Sequence, residues 1–285
     1  MQLKMHFIRM ACPLASEHLS NAEQSYLNSI YERYQGYPSL QQLWQLMDEQ
    51  WQAHGCDPLQ MDERVSAFYR HPVWLLNGLF IEQDLQSLAH RRAFTAWVMH
   101  QAPIRVADFG GGFGGLARFI GAALPQASVE VVEPHPHPAA IALASDTPNV
   151  RFVPELKGEY DLLIATDVFE HVPDPIALAA STASHLHIGG RYLIANCFAP
   201  VIACHLPQLF HLSIGWDQAM RAMGLQPLEA VQYGRAYARS GDLDEQASRR
   251  AEALSRRVYT WVQFLPKGRS RVGRALIRLM SAMPA

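Results

Sequence analysis

Three glycines spaced two residues apart, Gly110, Gly112 and Gly114, follow Asp108 in the stretch IRVADFGGGFGGLARFI, Ile104 to Ile120. Glycine tolerates positive φ and lets backbone approach a ligand closely, and a helix starting just beyond adds the partial positive charge of its first N–H groups. Two frames fit. Gly110, Gly112 and Gly115 satisfy the G-x-G-x-x-G spacing of dinucleotide sites, whereas Asp108, Gly110, Gly112 and Gly114 satisfy D-x-G-x-G-x-G. A carboxylate at Asp108 repels a pyrophosphate and attracts a ligand that carries an ammonium and a sulfonium.

Further acids and histidines have the right types for binding and proton transfer. Glu133 ends an apolar run, SVEVVE, where the ribose hydroxyls of a nucleoside ligand need an acceptor. Asp167, Glu170, His171 and Asp174 crowd into YDLLIATDVFEHVPDP. Asp174 reads as a helix N-cap before Pro175 rather than as a ligand contact. His135 and His137, set between prolines, shape a loop. In NCFAPVIACHLPQLFHL, Cys204, His205 and His211 lie in an apolar context, but their spacing matches no common zinc pattern, so no metal site is expected. His171 and His211 are the candidate general bases, since a hydroxyl that acts as a nucleophile must lose its proton.

These side chains need elements to hold them. From Ile104 short apolar runs alternate with helical segments, the pattern of a parallel sheet with crossover helices. Strands are expected at IRVADF, SVEVVE, VRFVP, YDLLIAT and GRYLIANCF, with helices near 114–124, 137–145, 174–187 and 216–223. LEAVQYGRAYA and YTWVQFL are expected to form a terminal antiparallel pair, separated by the helix-like DLDEQASRRAEALSRR. Residues 1–100 show helical periodicity: SLQQLWQLMDEQW after the N-cap Ser39, MDERVSAFYR, and GLFIEQDLQSLAHRRAFTAWV as one long helix leading into the glycine turn. The polar face of that helix offers Gln83, Ser87, His90 and Arg91, and His90 or Arg91 is a candidate to neutralise a ligand carboxylate. The expected fold is α/β, a Rossmann-like doubly wound, seven-stranded, mostly parallel sheet with a helical N-terminal cap. Its expected segments are 1–100, a cap or substrate lid; 101–266, the catalytic domain; and 267–285, a basic amphipathic helix.

In order and spacing, VADFGGGFGG, VEVVEP, YDLLIATDVFEHVPDP and HIGGRYLIAN resemble the class I S-adenosylmethionine-dependent methyltransferases, small-molecule type, over roughly Ile104 to Leu225. The resemblance implies that Asp108, Gly110, Gly112 and Gly114 cradle the methionine moiety of the cofactor and that Glu133 binds its ribose. It implies that Asp167 and Val168 flank the cofactor, that Glu170 and His171 border the methyl-transfer site, and that Glu155 is nearest to the position of an adenine-binding acid. The loop after YDLLIAT contains neither the N-P-P-[YF] signature of amino-methylating enzymes nor a Pro-Cys nucleophile. O- or C-methylation of a small acceptor, saccharide- or lipid-linked members included, is therefore the expected reaction. Two other functions use the same features: a nonenzymatic adenosyl-cofactor-binding scaffold, and an NAD(P)-dependent oxidoreductase in the overlapping glycine frame.

Composition narrows the partners. The 285 residues, 49% hydrophobic, can bury a large core, and four scattered cysteines, Cys12, Cys56, Cys197 and Cys204, suggest a reducing cytoplasm rather than a disulfide framework. The start, MQLKMHFIRMACPLA, is broken by Lys4, His6 and Arg9 and reads as mature chain rather than signal peptide. The net charge of −2 divides unevenly: nine basic residues against Glu252 after Glu245 give that tail +8 and leave −10 elsewhere, which disfavours a nucleic-acid partner. In the tail, Val272, Leu276, Leu279, Met280 and Met283 share one helical face and Arg271, Arg274 and Arg278 another. Peripheral membrane contact fits that pattern, but docking on the protein itself or on a partner subunit is favoured because the helix is short.

Overall fold

The structure is a computed structural model that describes residues 18–262. The chain divides into two compact units, one running to Leu156 and taking in Ile202–Cys204, the other comprising Lys157–Val201 and the chain from His205 on. The strand order of the sheet is β3-β2-β1-β4-β5-β7-β6, the seven-stranded, mostly parallel, Rossmann-like arrangement that the alternating pattern predicts.

The first unit opens with α1 (Asn21–Tyr34), α2 (Leu40–Ala53), α3 (Glu63–Tyr69), α4 (Val73–Gln83) and α5 (Leu85–Gln101). Ser20 and Glu23 close a capping box on α1, and Ser39 and Gln42 close another on α2, so each first turn has two of its open donors satisfied by its own sequence. Leu27, Leu43, Leu46, Phe68 and Leu76 are wholly buried in the core of these helices, which also takes in Cys204. The expected single helix over GLFIEQDLQSLAHRRAFTAWV is two. Asp84 adopts an extended conformation, φ −64 and ψ 127, and its side chain accepts from Ser87 N, ending α4 and capping α5. Continuous apolar periodicity hid that break, and Leu85, just past it, is exposed.

Beyond these helices come β1 (Arg105–Phe109), α6 (Gly115–Ala123), β2 (Ser128–Val132), α7 (Pro138–Ala144) and β3 (Val150–Val153), with β2 parallel to both β1 and β3. Glu130, buried on β2, is held between the guanidinium groups of Arg105 and Arg151.

The second unit contains β4 (Tyr160–Thr166), α8 (Pro175–Ala183), β5 (Leu186–Ala195), α9 (Leu212–Met223), β6 (Leu225–Val231), β7 (Gly234–Arg239) and α10 (Glu245–Val262). β5 pairs parallel with β4 and antiparallel with β7, which pairs antiparallel with β6. The expected terminal pair is corrected here: LEAVQYGRAYA folds back on itself as the β6–β7 hairpin, and residues 259–262 continue α10. A two-residue turn, Gln232 and Tyr233, hid two strands inside one apolar run. The helices α9 and α10 cross closely because position 215 is glycine; a Cβ there would stand 2.3 Å from the Ser255 side chain. No helix among the described residues is long and apolar enough to cross a membrane. The opening MQLKMHFIRMACPLA and the basic 267–285 segment lie outside the described residues.

Candidate active site

Asp108 is the fourth residue of β1, in register with Val131 of β2. The chain then turns through Gly110, Gly112 and Gly114 at φ 68, 50 and 66, the left-handed region that favours glycine. The glycines that need this freedom are those of the D-x-G-x-G-x-G frame. Gly115 begins α6 without positive φ. A Cβ there would meet the Glu82 carboxylate at 2.7 Å and the Arg91 guanidinium at 3.4 Å. Its smallness therefore makes room for side chains of α4 and α5. Gly111, which neither frame singles out, is required for another reason: its Cβ would stand 2.6 Å from Asp108 Oδ2.

Asp108 is 1% exposed, and its Oδ1 has no hydrogen-bond partner. Burial pushes its carboxyl up to about 7, against the opposing effect of a backbone hydrogen bond from Ala117 in the first turn of α6. A buried acid of this kind is stabilised in its charged form by a cation, and a ligand ammonium is such a group. Arg91, also buried, donates to the Glu82 carbonyl and lies over the Phe119 ring. Glu82 in turn pairs with Arg118 at 2.5 Å. Among the described residues Arg91 is left without a paired carboxylate of its own, Glu82 being taken by Arg118 and Asp84 by its cap on α5, and its guanidinium is suited to a ligand carboxylate. His90 instead meets Gln86 at 2.6 Å. Glu133 is half-buried, one carboxylate oxygen accepting from His135 N at 3.2 Å, and Glu155 lies on the exposed bend after β3.

Phe113, inside the glycine turn, stacks on His137 with centroids 5.7 Å apart. His137 caps α7 by accepting from Ala139 N at Nδ1, so its Nε2 carries the proton donated to Glu23 at 2.9 Å. This loop histidine thus ties the first helix to the segment that follows β2.

In the second unit the chain leaves β4 at Asp167, a non-glycine residue at φ 54. Asp167 N donates to Ala195 O at 2.8 Å, and Asp167 Oδ2 accepts from the Tyr233 hydroxyl at 2.8 Å. Val168 leads into a single 3-10 turn, Phe169–His171. Glu170 is 1% exposed; Oε1 accepts from Cys197 N at 2.7 Å, while Oε2 has no hydrogen-bond partner. Burial, reinforced by the charge of Asp167, raises its carboxyl to about 8. His171 is half-buried and meets His205 edge to face, ring centroids 4.9 Å apart. Asp174 caps α8 through Ala177 N, as its position before Pro175 predicts, and takes both terminal nitrogens of Arg249.

His211 is placed differently from His171. It is 3% exposed, its Nδ1 lies 3.3 Å from Ser255 Oγ, and that hydroxyl donates to the His211 carbonyl. Burial, with the nearby charge of Arg256, lowers it to about 4. Its contacts belong to the packing of α9 on α10. Sequence reasoning missed Gly111, Glu82 and Tyr233. The glycine run carried a signal for Gly111; nothing local marked the other two.

Residues 79–241 match the model of a family described as methyltransferase domain. No curated protein matches the chain. Among solved structures, the chain is similar to 1,6-didemethyltoxoflavin-N1-methyltransferase of Burkholderia thailandensis, at 19% identity over 54% of this chain and 79% of that one, TM-score 0.41. It is similar to human N-acetylserotonin methyltransferase at 17% identity over 85% and 75%, TM-score 0.46, and to an O-methyltransferase family protein of B. thailandensis at 14% over 85% and 77%, TM-score 0.49.

Proposed function

The chain belongs to the methyltransferase-domain family, and from that premise we propose that it transfers the methyl group of S-adenosylmethionine to an oxygen or carbon of a small-molecule acceptor. One observation carries the choice of cofactor: Asp108, buried with an unpartnered oxygen beneath three left-handed glycines. A carboxylate so placed opposes the pyrophosphate of a nicotinamide dinucleotide and favours an aminoacyl sulfonium.

Asp108 and the backbone of Gly110, Gly112 and Gly114 receive the methionine moiety, and Arg91 faces its carboxylate. Glu133 takes the ribose hydroxyls, Glu155 is the candidate for the adenine amino group, and Asp167 and Val168 flank the cofactor. S-Adenosylmethionine supplies a methyl carbon that bonds to the acceptor as its bond to sulfur breaks, the electron pair staying on sulfur to give S-adenosylhomocysteine. Holding acceptor and methyl in line is worth on the order of 7–11 kcal/mol, so much of the work is positional. Of the two candidate histidines we assign His171 to the acceptor's side and His211 to helix packing. The helical segment before β1 is assigned as a cap or substrate lid. We assign the chain to a reducing, cytoplasmic setting, which its four scattered cysteines fit.

Calorimetric titration with S-adenosylmethionine, S-adenosylhomocysteine and NADH, followed by an acceptor screen for S-adenosylhomocysteine release, tests this. Micromolar binding of the first two is expected. Preference for NADH overturns the cofactor, and binding without turnover on any acceptor class leaves a cofactor-binding scaffold.

A further inference from the structure

Glu170 and His171 end the short turn after β4, and His205 lies 34 positions further on. Backbone bonds hold the segments to each other: Leu206 N donates to Glu170 O at 3.0 Å, and Cys197 N holds Glu170 Oε1. One ligating atom from each of Glu170, His171 and His205 lies within 4.8 Å of the others. Nitrogen and oxygen ligands at ~2.0–2.1 Å from a common ion stand about 3.3 Å apart, so small side-chain rotations close the set onto one centre.

The surrounding bonds are those that orient metal ligands. His205 Nδ1 lies 2.8 Å from the Ala199 carbonyl. A carbonyl only accepts, so Nδ1 carries the proton and Nε2 presents its lone pair, the tautomer that a ligating imidazole needs. Glu170 is nine-tenths buried and more, with one oxygen fixed by a backbone amide and Oε2 without a hydrogen-bond partner. A buried carboxylate oxygen costs free energy unless something compensates it, and a cation among imidazoles does so.

We propose that Glu170, His171 and His205 bind one divalent cation of the borderline first-row kind, with Zn2+, Mn2+ and Co2+ as probes. Two imidazoles and one carboxylate suit these ions better than Mg2+ or Ca2+, which favour oxygen ligands. Three protein ligands leave coordination positions open to a fourth group. The site itself stands on the three side chains; the role that follows rests on the methyl-transfer reading above. The acceptor hydroxyl oxygen takes an open position, and the ion lowers its pKa so that its proton passes to water. That oxygen then forms the bond to the methyl carbon while the carbon–sulfur bond breaks and sulfur keeps the pair. His171 accordingly acts as a ligand, not as the base expected from sequence.

The test is Co2+ and Zn2+ titration of the full chain, followed by visible absorption and calorimetry. One equivalent per chain is expected, with Co2+ d–d bands. Affinity falls at least ~10-fold in His205→Ala and in Glu170→Gln, a loss of about 1.4 kcal/mol, and holds in the control His187→Asn. Absence of binding, or equal binding in both ligand variants, overturns the site. Should those variants fail to fold, Mn2+ added to the unaltered protein is expected to broaden the imidazole resonances of His171 and His205 first; broadening confined to other histidines overturns it. Metal uptake is read without cofactor, so its failure is distinct from loss of S-adenosylmethionine binding, which the same calorimeter measures separately.

Discussion

The ring of Phe113 fills the space that a side chain on Gly78 would need: a Cβ there would stand 2.3 Å from Phe113 Cδ2. Position 78 of α4 therefore fixes where the glycine turn places its one aromatic residue. Gly78→Ala is expected to lower stability by about 1–3 kcal/mol through overpacking and to weaken S-adenosylmethionine binding. Phe113→Ala in the same chain restores part of the stability. Strict additivity of the two changes in thermal unfolding would show that they do not act on each other.

Asp108 gives a pH dependence with a definite sign. Its folded value of about 7 lies above the ordinary 3.8, so the folded state holds the proton more tightly than the unfolded state. Its contribution to stability is thus full below about pH 4 and is lost as pH rises towards 7. Asp108→Asn removes this loss: the ligand-free variant is expected to melt higher than the parent at pH 8, yet to bind S-adenosylmethionine at least ~10-fold more weakly. Cofactor affinity of the parent rises between pH 6 and pH 8. Equal melting of variant and parent at pH 8 would show that burial of the Asp108 carboxylate does not lower stability.

Neighbouring glycines separate two causes. A Cβ on Gly112 meets nothing within 4 Å but must sit at φ 50, so Gly112→Ala is expected to cost about 1–2 kcal/mol of stability. Gly111→Ala instead pushes on the Asp108 carboxylate and is expected to act mainly on cofactor affinity. Calorimetry beside thermal melts distinguishes them; identical profiles would refute the distinction.

Arg91→Ala is expected to weaken S-adenosylmethionine binding ~10-fold, about the loss of one charge-assisted contact, with Arg91→Lys intermediate because a single ammonium cannot reproduce the guanidinium fork. A cofactor with its carboxylate amidated should not discriminate between parent and Arg91→Ala. Unchanged affinity in the alanine variant would withdraw Arg91 from the cofactor.

His211, at about 4 in the folded chain against an ordinary 6.5, works in the opposite direction to Asp108. Its stabilising effect is present above pH 6.5 and is lost as pH falls towards 4, because only the unfolded imidazole then gains its proton. His211→Asn is expected to lower the melting temperature at pH 7.5, to flatten the decline on acidification, and to leave kcat within about twofold, as for a substitution away from the chemistry. A large fall in kcat with unchanged melting would return His211 to the reaction.

Where one residue's own backbone demand chose its type, the sequence was readable. Gly110, Gly112 and Gly114 announce left-handed φ, Ser39 and Asp174 announce helix starts, and the apolar runs of β1, β2 and β4 announce buried parallel strands. Where a choice depended on distant partners, it was not. Asp84 breaks a helix whose periodicity runs on unbroken. Glu82 matters because α4 carries it to Gly115, and Tyr233 because a hairpin brings it to a residue 66 positions away. The segments that carry Glu170 and His205 are joined by the bond from Leu206 N to the Glu170 carbonyl, which no spacing rule encodes.

Tyr233 sits in a two-residue turn whose other member, Gln232, takes φ 54, and from there its hydroxyl holds Asp167. Hairpin tips accept changes of sequence and length that the paired strands do not. The orientation of an acid in the candidate site is thus entrusted to the most readily edited two residues of the β6–β7 pair. A change in how Asp167 is held thus has a short mutational route, one that leaves the paired strands and the glycine turn untouched.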